Sequence, residues 1–386
     1  MTVLLSDNII SGLGFTTEEN YRNVKQGECG LQLFSGRYDI PEPFIASEID
    51  DERLEEAFGD VKYGVRPVDG VNYTKLEKAS IVSVAEALKD TNIDPADNRV
   101  LFVLSTTKGN VFLVDEKERG GYERNQIYLW RSAELITEFF GNPNRPVVIS
   151  NACVSGASAM ITAQRELLSG RYDYAIVTGA DVLSKFIVSG FQSFKALSQE
   201  VCRPFDASRT GLNIGEAAAT VIMAEHPENE RNNGNIILTA GAVRNDANHI
   251  SGPSRTGEGL YLALRNVLKG IDPGEIAFVN AHGTATPYND EMESVALTRA
   301  GLQDVPVNSL KGYFGHTLGA AGVLESVISA RALKEGTILK TYGFETPGVT
   351  NPLHIVKETQ ATTKRRFIKM LSGFGGCNVA VLYTKH

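Results

Sequence analysis

One order of segments occurs twice in this 386-residue chain, and few folds can accommodate it. An apolar helix over residues 76–88, with Lys75, Lys78 and Glu86 on its other side, leads to Ile93-Asp94-Pro95 and an apolar strand at 100–104. A second helix over 260–268 leads to Ile271-Asp272-Pro273 and a strand at 276–279. Pro306-Val307 then mirrors Pro146-Val147. Each is followed by a small-residue turn and a helix, GASAMITAQRELLSG in one case and GAAGVLESVISARALKEG in the other. The final strand, 379–383, reads as the counterpart of 174–177. Four coincidences in the same order argue for a duplicated unit. Helices alternating with buried strands indicate a layered α/β protein. We expect two pseudo-symmetric halves, residues 1–230 and 235–386, meeting in the polar stretch His226 to Asn235, with their equivalent loops converging on one site.

The loops of the repeat carry the chemistry. Cys153 follows a short strand at 147–149 and precedes the helix that Gly170 stops. A thiol at a helix start feels the positive end of the macrodipole, which predicts a lowered pKa and a nucleophilic thiolate. A lone cysteine is more often a small buried hydrophobe, so partners are needed. His282, in Asn280-Ala281-His282-Gly283-Thr284-Ala285-Thr286-Pro287, ends the strand at 276–279, where α/β proteins place ligands. His316, in Lys311-Gly312-Tyr313-Phe314-Gly315-His316, stands nearly where Cys153 stands in the first half. Symmetry would bring these three together. His226, His249, His354 and His386 have no such setting and read as ordinary core or surface residues.

Composition narrows the alternatives. Lysine and arginine number 38 against 46 acids, for a formal charge of −8 with the signs interspersed, which disfavours nucleic acid as the main partner. Cys29, Cys153, Cys202 and Cys377 have neither CxxC spacing nor a nearby histidine pair, so no metal site or disulfide framework is read, and a reducing, cytoplasmic setting fits. No stretch has the length of a membrane span.

Asn-Ala-Cys-Val-Ser-Gly, His-Gly-Thr-Ala-Thr-Pro-Tyr-Asn-Asp and Lys-Gly-Tyr-Phe-Gly-His-Thr-Leu-Gly-Ala-Ala-Gly occur here in that order. In these motifs the chain resembles the β-ketoacyl-ACP synthases, the decarboxylating condensing enzymes of the thiolase-like superfamily, and most closely their two-histidine, elongating group. The resemblance implies a thiolase-like duplicated α/β/α/β/α layered fold. It implies that Cys153 accepts an acyl group from a carrier thioester and that His282 and His316 stabilise the enolate left when malonyl-carrier loses carbon dioxide. The acyl oxygen would use the backbone N–H groups of Cys153 and Phe374. Lys311 and Glu325 match a charged pair, Thr284 and Thr286 match residues that bind the phosphopantetheine arm, and Phe374 matches the gate of the acyl pocket. Asp290 reads as structural.

No cofactor of its own is implied, since phosphopantetheine arrives on the carrier. The implied partners are an acyl carrier protein, acyl and malonyl thioesters, and a second copy in a homodimer. The alternative is a heterodimer with a chain-length subunit in a specialised polyene or polyketide complex. An acidic carrier needs a basic doorway, for which Lys75, Lys78, Arg203 and Arg209 fall at the matching surface. Departures from the family pattern occur at Ser372, where an aromatic is usual, at Cys377, where threonine is usual, and at Thr106-Thr107-Lys108-Gly109, with Lys108 read as a solvated loop residue.

Overall fold

The computed structural model describes residues 1–62, 68, 70–225, 234–246 and 248–386. His226 and most of the expected boundary stretch lie outside the described residues. Ten strands form one sheet. In chain order they are β1 (Thr2–Ser11), β2 (Val100–Ser105), β3 (Val147–Ile149), β4 (Tyr174–Asp181), β5 (Ala217–Glu225), β6 (Ile236–Asn245), β7 (Ile276–Asn280), β8 (Val307–Asn308), β9 (Arg366–Gly373) and β10 (Cys377–Lys385). Across the sheet they run β8-β7-β9-β10-β6-β1-β5-β4-β2-β3.

The duplication is written in that order. Counting strands within each half, both read third, second, fourth, fifth, first. Both also place two parallel pairings at the outer end and two antiparallel ones at the inner end. The halves join through an antiparallel pairing of Thr2, Val3 and Leu4 with Leu238, Ile237 and Ile236. One equivalence read from sequence is wrong. Strand β10 corresponds to β5, and the counterpart of β4 is β9, whose Arg366 and Lys369 interrupt an apolar run. The N-terminal β6 was missed altogether, because the polar stretch before it masks the start of the second unit.

Around the sheet lie α1 (Lys75–Leu88), α2 (Leu129–Phe139), α3 (Ser155–Leu168), α4 (Lys185–Ser193), α5 (Glu258–Val267), α6 (Pro287–Arg299) and α7 (Ala321–Lys334). Thr74 and Glu77 form a capping box that starts α1. Helix α1 packs on β1, β4 and β5, and α5 on β6 and β10, which makes them outer layers. Helices α3 and α7 pack on each other and on strands of both halves, which makes them the central layer. Their closeness depends on two glycines. A Cβ on Gly156 would stand 2.9 Å from the Gly319 carbonyl oxygen and from the Val323 nitrogen, and one on Gly322 would overlap the Ala157 nitrogen. The five layers are therefore α/β/α/β/α, the duplicated thiolase-like architecture expected. Among the described residues no helix is long and apolar enough to cross a membrane.

Candidate active site

The central layer brings the two repeat-related corners face to face. Cys153 lies two residues before α3, His282 two residues beyond β7, and His316 between the short helix Lys311–Phe314 and α7. The Cys153 Sγ and a ring nitrogen from each histidine lie within 4.8 Å of one another, and all three side chains are buried. The imidazoles meet edge to face with centroids 5.0 Å apart.

Backbone in the left-handed region accompanies each member of the trio. Ala152 (φ 45°) precedes Cys153, Gly283 (46°) and Ala285 (60°) follow His282, and Leu318 (50°) follows His316. For alanine and leucine this conformation costs energy and persists only where the surroundings hold it, as happens at functional sites. The hydrogen bonds that hold the two histidine loops are specific. Both carboxylate oxygens of Glu293 on α6 accept backbone N–H bonds, from His282 and Gly283, each at 2.7 Å. The His316 N–H donates to Asn213 at 2.7 Å and its carbonyl accepts from Gly215, so first-half backbone fixes the second-half histidine.

Protonation follows from burial and charge. Burial first, then the Lys311 ammonium, holds both histidines well below the ordinary imidazole range, so each is neutral at pH 7. The His316 Nδ1 accepts the Leu318 N–H at 3.3 Å, which puts the ring proton on Nε2. That Nε2 is buried without a partner, as is the Nδ1 of His282. Burial, with Cys377 nearby, pushes the Cys153 thiol up to about 12. The lowered pKa expected from the helix start is not what the structure gives: burial is the largest influence on this thiol and raises it.

Behind the histidines lies an entirely buried ion cluster. Lys311 Nζ is 2.7 Å from Glu325 Oε1, and Lys369 binds the other carboxylate oxygen. Lys369 also donates to Asn280 Oδ1 at 2.7 Å and to the Ala281 carbonyl at 3.1 Å. Burial alone would raise Glu325, but the two lysines bring it below the usual carboxylate range.

A cavity of about 450 Å³ opens onto the trio. Thr284 and Thr286 line it, their hydroxyls 2.9 Å apart, and Phe374 closes one side with its ring against Phe194 (5.2 Å) and Phe191 (6.0 Å). Ser372 donates to Asn378 at 2.7 Å, so this side chain serves the loop itself. A Cβ on Gly373 would stand 3.1 Å from the Cys153 nitrogen, so glycine is what lets this loop lie against the cysteine.

Beta-ketoacyl synthase models match the chain twice, the N-terminal domain over residues 8–229 and the C-terminal domain over 236–345. The chain belongs to the β-ketoacyl synthase family. Its relatives include a putative mitochondrial 3-oxoacyl-[acyl-carrier-protein] synthase of Schizosaccharomyces pombe, 28% identical with 98% of both chains covered. Another is 3-oxoacyl-[acyl-carrier-protein] synthase 2 of Rhizobium meliloti, 33% identical over 63% of this chain and 62% of that one. Among solved structures, a ketosynthase (ApeO) in complex with its chain length factor (ApeC) from Xenorhabdus doucetiae matches with a TM-score of 0.86 at 24% identity, covering 100% of this chain and 98% of that one. Like the family, this chain is an acyltransferase that forms a carbon–carbon bond between an acyl group and malonyl-carrier.

Within this β-ketoacyl synthase the four expected docking cations stand in different settings. Lys75 is spent on Asp51 (2.6 Å) and the buried Glu216 (2.7 Å), and Lys78 on Glu55 (2.6 Å). These two lysines line a separate cavity that does not reach Cys153. Arg209 is half-buried, donating to the Asp206 carbonyl at 2.8 Å with its Nε 3.7 Å from Asp290. Sequence showed three cations at the matching surface but not the acids already holding them. Arg203 is half-buried beside Gly343 and has no ion pair among the described residues. Asp290 is structural as expected, accepting the Phe205 N–H at 2.7 Å. Lys108 is exposed, its loop tied down by the buried Asp181, which accepts from Thr106, Thr107 and Gly319. His249 lines the site cavity, but its Nδ1 is engaged within its own turn, accepting the Ser251 and Gly252 N–H groups with the Ser251 hydroxyl 3.4 Å away.

Sequence reading missed Lys369 and Glu293. A lysine in the middle of the otherwise apolar FIKML of β9 was the available signal for the first. Glu293 had none, because acids on a helix are ordinary.

Proposed function

We propose that Cys153 is the acyl acceptor and that His282 and His316 serve the decarboxylation and condensation that follow. The observation that carries this is the buried thiol beside two neutral imidazoles, one of them fixed as a donor. In the first half-reaction Cys153 Sγ attacks the acyl thioester carbonyl, and its proton passes to His282, whose Nδ1 is unengaged. The carrier thiol leaves with that proton, and the acyl group stays on sulfur. In the second, the malonyl thioester oxygen accepts from His316 Nε2 and from His282. Carbon dioxide departs, and the electron pair it leaves spreads onto that oxygen as an enolate. The enolate carbon attacks the acyl carbonyl, Cys153 Sγ leaves as a thiolate, and one proton taken up from solvent restores the thiol. Neutral donors suit an enolate because they strengthen as charge develops without trapping the ground state.

A metal reading of the same Cys-His-His trio is disfavoured by the positive charge of Lys311 and Lys369 close by, which repels a cation. Thr284 and Thr286 are assigned to the pantetheine arm and Phe374 to the gate, on their place in the cavity. Four free thiols support work in the reducing cytoplasm. A homodimer is supported by β3, a three-residue edge strand that is only half-buried at the end of the sheet. The ApeO structure is a ketosynthase with a chain length factor, and a heterodimer of that kind is the second reading. Because this chain has the whole trio, it would be the catalytic subunit in either assembly.

The test is intact-mass detection of an acyl adduct on Cys153 after incubation with acyl-carrier, followed by chase with malonyl-carrier. Product from the purified chain alone supports the homodimer. An acyl adduct that never converts without a second subunit sinks it.

A further inference from the structure

We propose that Lys369 is a positioning residue for the condensation step, setting both histidine donors through one buried cluster. From β9 its Nζ reaches the Ala281 carbonyl at 3.1 Å, one residue before His282, and Asn280 Oδ1 at 2.7 Å. The same ammonium binds Glu325 on α7, and Glu325 in turn holds Lys311, five residues before His316. One side chain thus links the strand that presents His282 to the cluster behind His316. With two ammonium groups and one carboxylate, the cluster carries a net +1.

A lysine with no exposed surface is an expensive way to satisfy an amide oxygen and a carbonyl. Lys311 and Glu325 already form a neutral pair, and a hydroxyl or amide could meet Asn280 and Ala281. What only a cation adds is charge. The extra positive charge keeps His282 and His316 neutral and favours the enolate, whose oxygen is held by those two histidines, more than the acyl-transfer oxyanion, which is held by backbone N–H groups away from the cluster. The groups facing it are Asn280 of β7 and Ala281 just beyond it, Glu325 of α7, Lys311, the two histidines and, at longer range, Glu293 of α6. Burial, opposed by Glu325, lowers Lys369 to about 8. Condensation should therefore decline as pH rises through about 8, while acylation of Cys153, which gains from thiol ionisation, should not.

The inference rests on His282 and His316 as enolate donors, and the experiment separates the two. Full-length wild type, Lys369→Met and Lys369→Met/Glu325→Gln are compared in acylation and in condensation across pH. Lys369→Met should lower condensation at least about tenfold, a fraction of the loss of a direct donor, and slow acylation much less. Its acid limb should move to higher pH and its alkaline limb near pH 8 should vanish. The double variant, again at net +1, should regain part of the condensation rate. Equal losses in both half-reactions, or an unchanged alkaline limb, would overturn the proposal. Should Lys369→Met fail to fold, wild type still decides: no alkaline limb confined to condensation overturns it. A wild type that is acylated but never condenses malonyl-carrier sinks the histidine reading instead.

Discussion

Between β3 and α3 the chain turns through Asn151, Ala152 and Cys153, and between β8 and α7 it turns through Lys311 to His316. These corners are equivalents in a duplicated unit, yet they are furnished differently. Behind the first lie Ala157, Ala159, Met160 and Ile161 of α3 and Ala175, Ile176 and Val177 of β4, all buried. Behind the second lie Glu325 on α7 and Lys369 on β9, the strands β4 and β9 being counterparts. One copy supplies a nucleophile in a low dielectric, the other a field and donors for an anion. Duplication makes the two corners meet; divergence of their backing lets one site run two half-reactions with different electrostatic needs.

If the corners divide the work in this way, removing the first should separate the steps. Cys153→Ala should abolish ketoacyl product by at least about 10⁴-fold while still releasing carbon dioxide from malonyl-carrier, measured as labelled carbon dioxide. Loss of both together would break the comparison. The converse change, His316→Ala, should leave the mass-detected acyl adduct on Cys153 and lower condensation about 10²–10³-fold.

The contrast in backing predicts unequal costs in stability. Glu325→Leu leaves Lys311 and Lys369 uncompensated and should destabilise by about 3–5 kcal/mol in urea unfolding. Gly322→Ala, which only crowds α3 against α7, should cost about 1–3 kcal/mol in the same measurement. A smaller cost for Glu325→Leu than for Gly322→Ala would mean the second corner does not depend on charge.

The smallest effect is on acid tolerance. Both imidazoles have depressed pKa values, so condensation should hold from pH 7.5 to 6 as far as they are concerned. Folding stability behaves differently: the unfolded chain takes up these protons near 6.5 and the folded one only well below, so the histidine contribution to stability is lost as pH falls below about 6.5. Stopped assays and denaturant titrations at matched pH would separate the two.

The repeat and the trio were legible in sequence because each has a local signature: a fixed segment order, and His or Cys flanked by glycines. Lys369 was not, because its meaning comes from a strand pairing 89 residues away, between β7 and β9. The ion pairs of Lys75 and Lys78 were hidden for a similar reason. Their sequence neighbourhood is basic enough, but Glu216, which holds Lys75, lies 141 positions farther along the chain. The direction of the Cys153 shift also depends on burial, which the helix-start argument left out.

The shared central layer has a thermodynamic consequence. Helices α3 and α7 each bury against strands from both halves, whereas the sheet itself is stitched across the middle by only three residue pairs. Neither half has a complete apolar interior of its own, so loss of one strips the other of its lining. Although the chain carries two copies of one unit, it should melt in a single cooperative transition, and a proteolytic fragment containing either copy alone should not hold its shape.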